Sequence, residues 1–346
     1  MLKSKFFMPA VCLPVLFVFF AAVPLAAQSA QPAWIANPHA RHSAQAYIAA
    51  VGLGGSRVAA ERDALRGIAG VFGMNVHAVE QLTTLYREVV VDGAATWTEQ
   101  TDFRSAIETS VSMDNLMGAE IRESWVDGWG THFVLAVLSR ARAVMLYSER
   151  IQANLDIIRN LTDMTPAQRY SFDGFSRYQF AAVFADMSFA YGEMLVVLGA
   201  PWGGTLRRGE YFLQRSREIL TEIPIGINVS NDRGGRVQGA FARAFADLGF
   251  RSAGANPRFV LDVNVNTRRD EHMVAGVEFA WIEITANLVD TNTRTVLLPY
   301  GFNFRGPGRF TLQEAENLAF NDAVQRIGRE YGNLLSEHLA RMVPRR

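Results

Sequence analysis

From Tyr47 onward the chain switches between a two-residue hydrophobic period and one of three to four residues, and these switches predict its elements. Tyr47–Gly54 is a short apolar run closed by Gly54-Gly55, a strand, and Ser56 is placed to cap the helix that follows. In that helix Val58, Leu65, Ile68 and Phe72 fall at helical spacing and predict one buried stripe. Strand-like stretches come next at Val76–Leu85 and Glu88–Val91, then a polar helix or loop around Thr98–Glu108. Ala119, Ile121, Glu123 and Trp125 then alternate with polar neighbours, Asp127-Gly128 supplies a turn, and Phe133–Leu138 returns as a strand. The result is a helix on one face of an antiparallel sheet.

The texture changes after Arg142. Ala141–Leu161 carries Met145, Ile151, Leu155, Ile158 and Leu161 without Gly or Pro, a helix broken at Asp163–Pro166. Phe180–Leu198 is a second helix, ended by Pro201-Trp202-Gly203-Gly204. The pair predicts a helical hairpin that packs on the first sheet or projects as an arm.

A second unit begins near Glu222. Ile223, Ile225, Ile227 and Val229 alternate as a half-buried strand, and Asn231–Gly235 is a turn. Val237, Phe241, Ala244, Phe245 and Leu248 form a helical stripe stopped by Gly249. Phe259, Leu261, Val263 and Val265 make another strand, followed by a hairpin of Val277–Val289 and Thr295–Phe304. Thr311-Leu-Gln-Glu314 is a capping box for a long terminal helix with Leu318, Ile327, Tyr331, Leu334, Leu335 and Met342 on its stripe. The fold class is α+β: two small helix-on-antiparallel-sheet domains joined by a helical hairpin. The divisions are 1–27 (export signal), 32–142, 143–200 (hairpin), 201–221 (linker) and 222–346.

Ahead of these domains, Lys3 and Lys5 precede Phe6–Ala27, an uncharged run ending in small residues around Leu25–Ala30. A basic start, an apolar run and small residues make a secretory signal, with cleavage expected near Ala27–Ala30. Retention as a membrane anchor is the alternative, although Pro9, Pro14 and Pro24 interrupt the run. Later apolar stretches are all interrupted by charges, so no mature transmembrane helix is expected.

Cys12, the only cysteine, sits inside the apolar run after Val11 and so lacks the setting of a lipidation site. Loss of the signal leaves no thiol for disulfides, catalysis or metal binding. It also removes both lysines, leaving 32 arginines against 34 acidic residues. A chain so near neutrality has no broad attraction to nucleic acid, and without lysine it has no Schiff-base or phosphate-loop chemistry.

Residues 32–142 resemble the Lpp-twenty lipoprotein family of bacterial envelopes, related in pattern to the N-terminal domain of the flagellar assembly protein T. The matching pieces are Pro32-Ala-Trp34, the Tyr47-Ile-Ala-Ala-Val-Gly-Leu-Gly strand, the Ala/Glu-rich helix and the Trp125 and Phe133–Val137 strand pair. The chain departs from the family in lacking a lipidation motif. The resemblance implies an exported, non-catalytic envelope protein and supplies no catalytic residue, and topology alone adds no function.

The chemistry-bearing residues agree with that expectation. Gly52-Leu-Gly54-Gly55-Ser56 could cradle a phosphate at a helix start, but it lacks the full phosphate-loop and dinucleotide patterns, and a tight strand-to-helix turn explains it. The six histidines are scattered, only His39 and His42 being close, so no metal site is expected. Asp262 with Glu283, or Ser124 with His132, are the nominal pairs for a hydrolase, without a catalytic motif around either. Trp129, Trp202 and Trp34 are the candidates to contact a partner protein or a glycan, Trp129 foremost because it lies beside the Asp127-Gly128 turn. Arg207-Arg208 and Arg268-Arg269 read as solvated charge. The expected role is a structural or scaffolding one in the periplasm or on the periplasmic face of the outer membrane. No cofactor is expected, and the expected partners are envelope or flagellar proteins. The alternatives are a peptidoglycan-binding module and a hydrolase.

Overall fold

The computed structural model of the chain describes residues 30–73, 116–252, 257–270, 276–340 and 342. The apolar N-terminal run and the elements expected at Val76–Leu85, Glu88–Val91 and Thr98–Glu108 lie outside them. The fold is α+β, with two sheets bridged by helices.

A short helix α1 (Ala33–Ala36) leads into β1 (Tyr47–Gly54) and α2 (Arg57–Phe72). Ser56 caps α2, its side chain accepting from the Ala59 N–H at 3.3 Å. The buried stripe is Ala60, Ala64, Ile68 and Phe72, whereas Val58 is 55% exposed. Ile68 and Phe72 stand on the buried stripe as expected, while Val58 and Leu65 give way to Ala60 and Ala64. A methyl group on Gly52 would lie 2.1 Å from the Ala64 nitrogen and 2.2 Å from the Ala60 oxygen. Strand and helix backbones are therefore in contact, and only small side chains fit between them.

The hairpin of β2 (Ala119–Val126) and β3 (His132–Ser139) completes a sheet of order β1-β3-β2, antiparallel throughout, with a bulge between Ile121 and Glu123.

Helix α3 (Arg140–Thr162) follows β3 directly, then come α4 (Pro166–Arg169) and α5 (Phe172–Val197). Helix α5 starts well before the expected Phe180. Ser171 caps it by accepting from the Gly174 N–H at 3.1 Å, and Gly174 lets the corner close, since a Cβ there would meet the Arg169 oxygen at 2.1 Å. The stretch 201–221, read from sequence as a linker, instead holds α6 (Gly209–Glu222). Its first N–H, that of Gly209, donates to Asp186 of α5 at 2.7 Å, so the cap is supplied from a distance and leaves no local signal.

These helices are not an arm. Phe180, Phe184, Met187, Tyr191 and Leu195 of α5 belong to the same core as Ile48, Ala64, Val134 and Tyr147 of the first sheet unit. Phe172 and Phe175, at the start of the same helix, belong to the core of the second sheet. Helix α6 likewise gives Phe212 to the first core and Ile219 to the second. Asp186 and Glu193 interrupt α5 as expected, yet by length and apolar character it could still cross a membrane. Its most apolar window is 67% buried inside the molecule, which accounts for its composition.

The second sheet contains β4 (Pro224–Ser230), β5 (Arg251–Ser252), β6 (Phe259–Arg269), β7 (Ala280–Asp290) and β8 (Thr295–Arg305), in the order β5-β4-β6-β7-β8. One feature departs from the expected antiparallel sheet: β4 runs parallel to β6 and to β5. Helix α7 (Arg236–Asp247) carries the chain back between β4 and β6, which makes a β-α-β crossover. Helix α8 (Leu312–Ala340) packs beside α7, its start capped by Thr311 accepting from the Glu314 N–H at 3.2 Å. Leu261, Val263, Ile282 and Ile284 face these helices, while Asp262, Asn264, Glu283 and Thr285 are exposed on the other face.

Candidate functional site

The turn joining β2 to β3 builds the most prominent surface feature of the first unit. The Asp127 side chain accepts the backbone N–H groups of Trp129 at 2.9 Å and Thr131 at 2.8 Å through one oxygen. The Asp127 N–H donates to the Thr131 carbonyl at 3.1 Å, and the Gly130 N–H to the Asp127 carbonyl at 3.2 Å. Gly130 has φ of 82°, the left-handed region that a side chain resists. Four hydrogen bonds thus close five residues and hold Trp129 outward, 92% exposed.

Behind the turn lies an apolar row. Leu53 pairs with Phe133, which pairs with Trp125, so the three side chains cross the end of the sheet in register. The Trp125 and Phe133 rings are 5.5 Å apart and tilted. Leu53 is 52% exposed, and Trp125 and Phe133 are half-buried. Arg41 and Glu123 form an exposed ion pair at 3.4 Å. An apolar centre with polar neighbours matches the anatomy of a contact surface.

The three nominated tryptophans do not form one site. Trp34 is a correction: it is 2% exposed and packs over Leu135 and Val137, so its ring supports the sheet and is closed to a ligand. Trp202 is also withdrawn from a contact role, because its half-buried ring packs against the first core and its indole nitrogen is buried. Trp129 alone stands free. Leu53 and Phe133 were not nominated from sequence, although Leu53 is the last outward position of β1 before Gly54 and could have been read as such.

The remaining nominations resolve plainly. The space beside Gly52 and Gly54 is filled by the backbone of α2, so these glycines serve packing. His39 Nδ1 lies 2.9 Å from the His42 carbonyl, and no group of three metal-ligating side chains occurs among the described residues. Asp262 is exposed and accepts from Asn228 at 3.1 Å; its cross-strand partner is Asn287, while that of Glu283 is Asn266. Ser124 faces Val134 and His132 faces Val126, so these two are not opposite each other.

Shifted titratable groups lie away from the hairpin end. Burial pushes the Tyr191 hydroxyl up to about 12, and burial drives Tyr147, Tyr300 and Tyr331 higher still. All four stay neutral at physiological pH, and none is brought toward the range useful for acid–base work.

No protein-family model matches the chain, so the Lpp-twenty resemblance of residues 32–142 rests on the residues that suggested it. No curated protein matches it either. Among solved structures, the chain is similar to a secreted protein of Helicobacter pylori over 82% of its own length and 96% of that chain, at 12% identity and a TM-score of 0.40. It is similar to a minor lipoprotein from Acinetobacter baumannii over 32% of its length and 93% of that chain, at 14% identity and a TM-score of 0.26.

Proposed function

We propose that this is an exported, non-catalytic envelope protein that acts as a scaffold, engaging a partner protein at the hairpin end of its first sheet with Trp129 as the anchor. The basic and apolar N-terminal pattern supports export to the periplasm. The observation that carries the binding role is the 92% exposure of Trp129 on a turn closed by four hydrogen bonds. Tryptophan is the residue type most enriched where a few side chains supply most of the binding energy. The row Leu53–Phe133–Trp125 lies one strand pair behind that turn and adds apolar surface to this end of the sheet.

The test is site-specific photo-crosslinking in the native cell, with the reactive group at position 129, followed by purification, mass spectrometry and sequencing of the mature N-terminus. One envelope or flagellar protein is expected to be recovered stoichiometrically, and Trp129→Ala is expected to weaken its binding by roughly thirtyfold or more. Absence of any crosslinked protein would sink the reading. A second reading draws on the same exposed ring, which can stack on a sugar. Retention on purified peptidoglycan that is abolished by Trp129→Ala would favour a glycan-binding module instead.

A further inference from the structure

A cavity of about 430 Å³ lies between α3, α5, α6 and the loop leading into α6. We infer that it binds a fatty acid: a single hydrocarbon chain lying between the helices, with its carboxylate on Arg207.

One side of the cavity is apolar, formed by Leu155 and Ile158 of α3, Ala185 of α5, Leu206 of the loop and Phe212 of α6, and Tyr178 of α5 also lines it. Among the hydroxyls that line it are those of Thr162 and Ser188. Both donate to carbonyls of their own helices, Thr162 to Ile158 and Ser188 to Phe184, each at 2.8 Å. Their protons are thus engaged, so at these two positions a sugar or nucleotide would bury polar groups without a matching donor. A hydrocarbon chain meets no such penalty. At the roughly 30 Å³ that a water-sized group occupies, the cavity has room for about a dozen methylene-sized groups, enough for one acyl chain but not for two.

The mouth supplies the charge. Thr205, Arg207 and Tyr211 are exposed where the cavity meets solvent. The Arg207 guanidinium stands 4.1 Å over the Tyr211 ring, and Arg208 stands 4.0 Å over Phe189. Neither arginine has a carboxylate partner among the described residues. The acidic groups nearby are already engaged: Glu210 with Arg217 at 3.1 Å, Glu218 with Arg215 at 2.7 Å, and Asp186 with the Gly209 N–H at 2.7 Å. A guanidinium stacked on a ring keeps its in-plane N–H groups free for two parallel bonds to a carboxylate. Stacking on Tyr211 also limits the freedom that Arg207 would lose on binding. The sequence shows only an Arg-Arg pair here; its placement at the lip of an apolar cavity comes from the fold.

The test is calorimetric titration of the full mature chain with dodecanoate, dodecyl phosphate, dodecanol and dodecyltrimethylammonium, all below their aggregation limits. Dodecanoate is expected to saturate one site, with dodecanol at least roughly tenfold weaker and the cation weaker again. Arg207→Gln is expected to weaken dodecanoate by roughly tenfold or more while leaving dodecanol unchanged. Ala185→Leu, which fills the cavity, should weaken dodecanoate and dodecanol together. If that variant does not fold, the exposed Arg207→Gln decides alone. No saturable binding of dodecanoate, equal binding of dodecanol, or an Arg207→Gln variant of unchanged affinity would overturn the inference. Tighter binding of dodecyl phosphate than of dodecanoate would overturn the carboxylate assignment.

Discussion

Phe172 is where the coupling between the two sheet units can be broken most cleanly. It opens α5 yet is 3% exposed inside the second core, edge-on to Phe259 at 4.7 Å and 5.6 Å from Phe250. Truncating a buried phenylalanine to alanine costs about 3–5 kcal/mol, the lost ring contacts included. The loss falls mainly on the second core, because the buried α5 residues of the first core begin at Phe180 and only Tyr178 packs against both. The wild type is expected to melt in one transition. Phe172→Ala should melt in two, with the second unit lowered by on the order of 10–20 °C at the few degrees per kcal/mol usual for this size. Scanning calorimetry reads both quantities, and limited proteolysis should cut near α4 only in the variant. The second unit would not come loose entirely, since Arg258 still reaches from Asp290 at 2.8 Å to the Ala167 carbonyl at 3.2 Å. A single transition within about 3 °C of the wild type would refute the claim that α5 joins the cores.

Gly52→Ala forces a methyl group against the backbone of α2 and should cost about 3 kcal/mol or more in urea unfolding, while Gly55→Ala, with open space around it, should stay within about 0.5 kcal/mol. Asp127→Ala removes two hydrogen bonds from the Trp129 turn, and fluorescence anisotropy should show a more mobile indole at a stability cost of about 1–2 kcal/mol. Tyr331→Phe deletes a buried hydroxyl with no hydrogen-bond partner among the described residues, so thermal melting at neutral pH should show no loss and a gain of up to about 1 kcal/mol. Burial raises Tyr191 from 10.0 to about 12, so its contribution is complete below pH 10 and is lost as pH climbs through 12. That loss should reach about 3 kcal/mol and vanish from the alkaline unfolding curve of Tyr191→Phe.

What the sequence disclosed follows from where each signal resides. The β2–β3 hairpin was legible because alternation and Asp127-Gly128 are local, and the prominence of Trp129 follows from its place beside that turn. Trp34 could not be told from an exposed tryptophan, since a four-residue helix has too little pattern to reveal which side is buried. Helix α6 was hidden behind Pro201–Gly204 because its buried stripe runs Phe212, Ser216, Ile219, with a serine where a hydrophobe would have marked it. That serine accepts from Gln179 of α5 at 3.0 Å, a partner no local reading supplies. The parallel pairing of β4 with β6 was missed for the same reason, as alternation shows which face is buried but not which neighbour a strand has.

The register of the first sheet also governs the order in which the chain can fold. Among the described residues β1 pairs only with β3, Tyr47 against Ser139, and β3 is the central strand. During synthesis or threading from the N-terminus, β1 and α2 therefore emerge long before the strand that completes their sheet. The entropy of closing so long a loop delays that pairing, while the α3–α5 hairpin can form from near neighbours once it appears. Under the export proposed above, this delay would be useful, because β1 and α2 would not complete their sheet during passage. The same delay leaves the edge of β1 that Ser139 will cover unpaired, which makes that interval the one in which the chain is most exposed to misassociation.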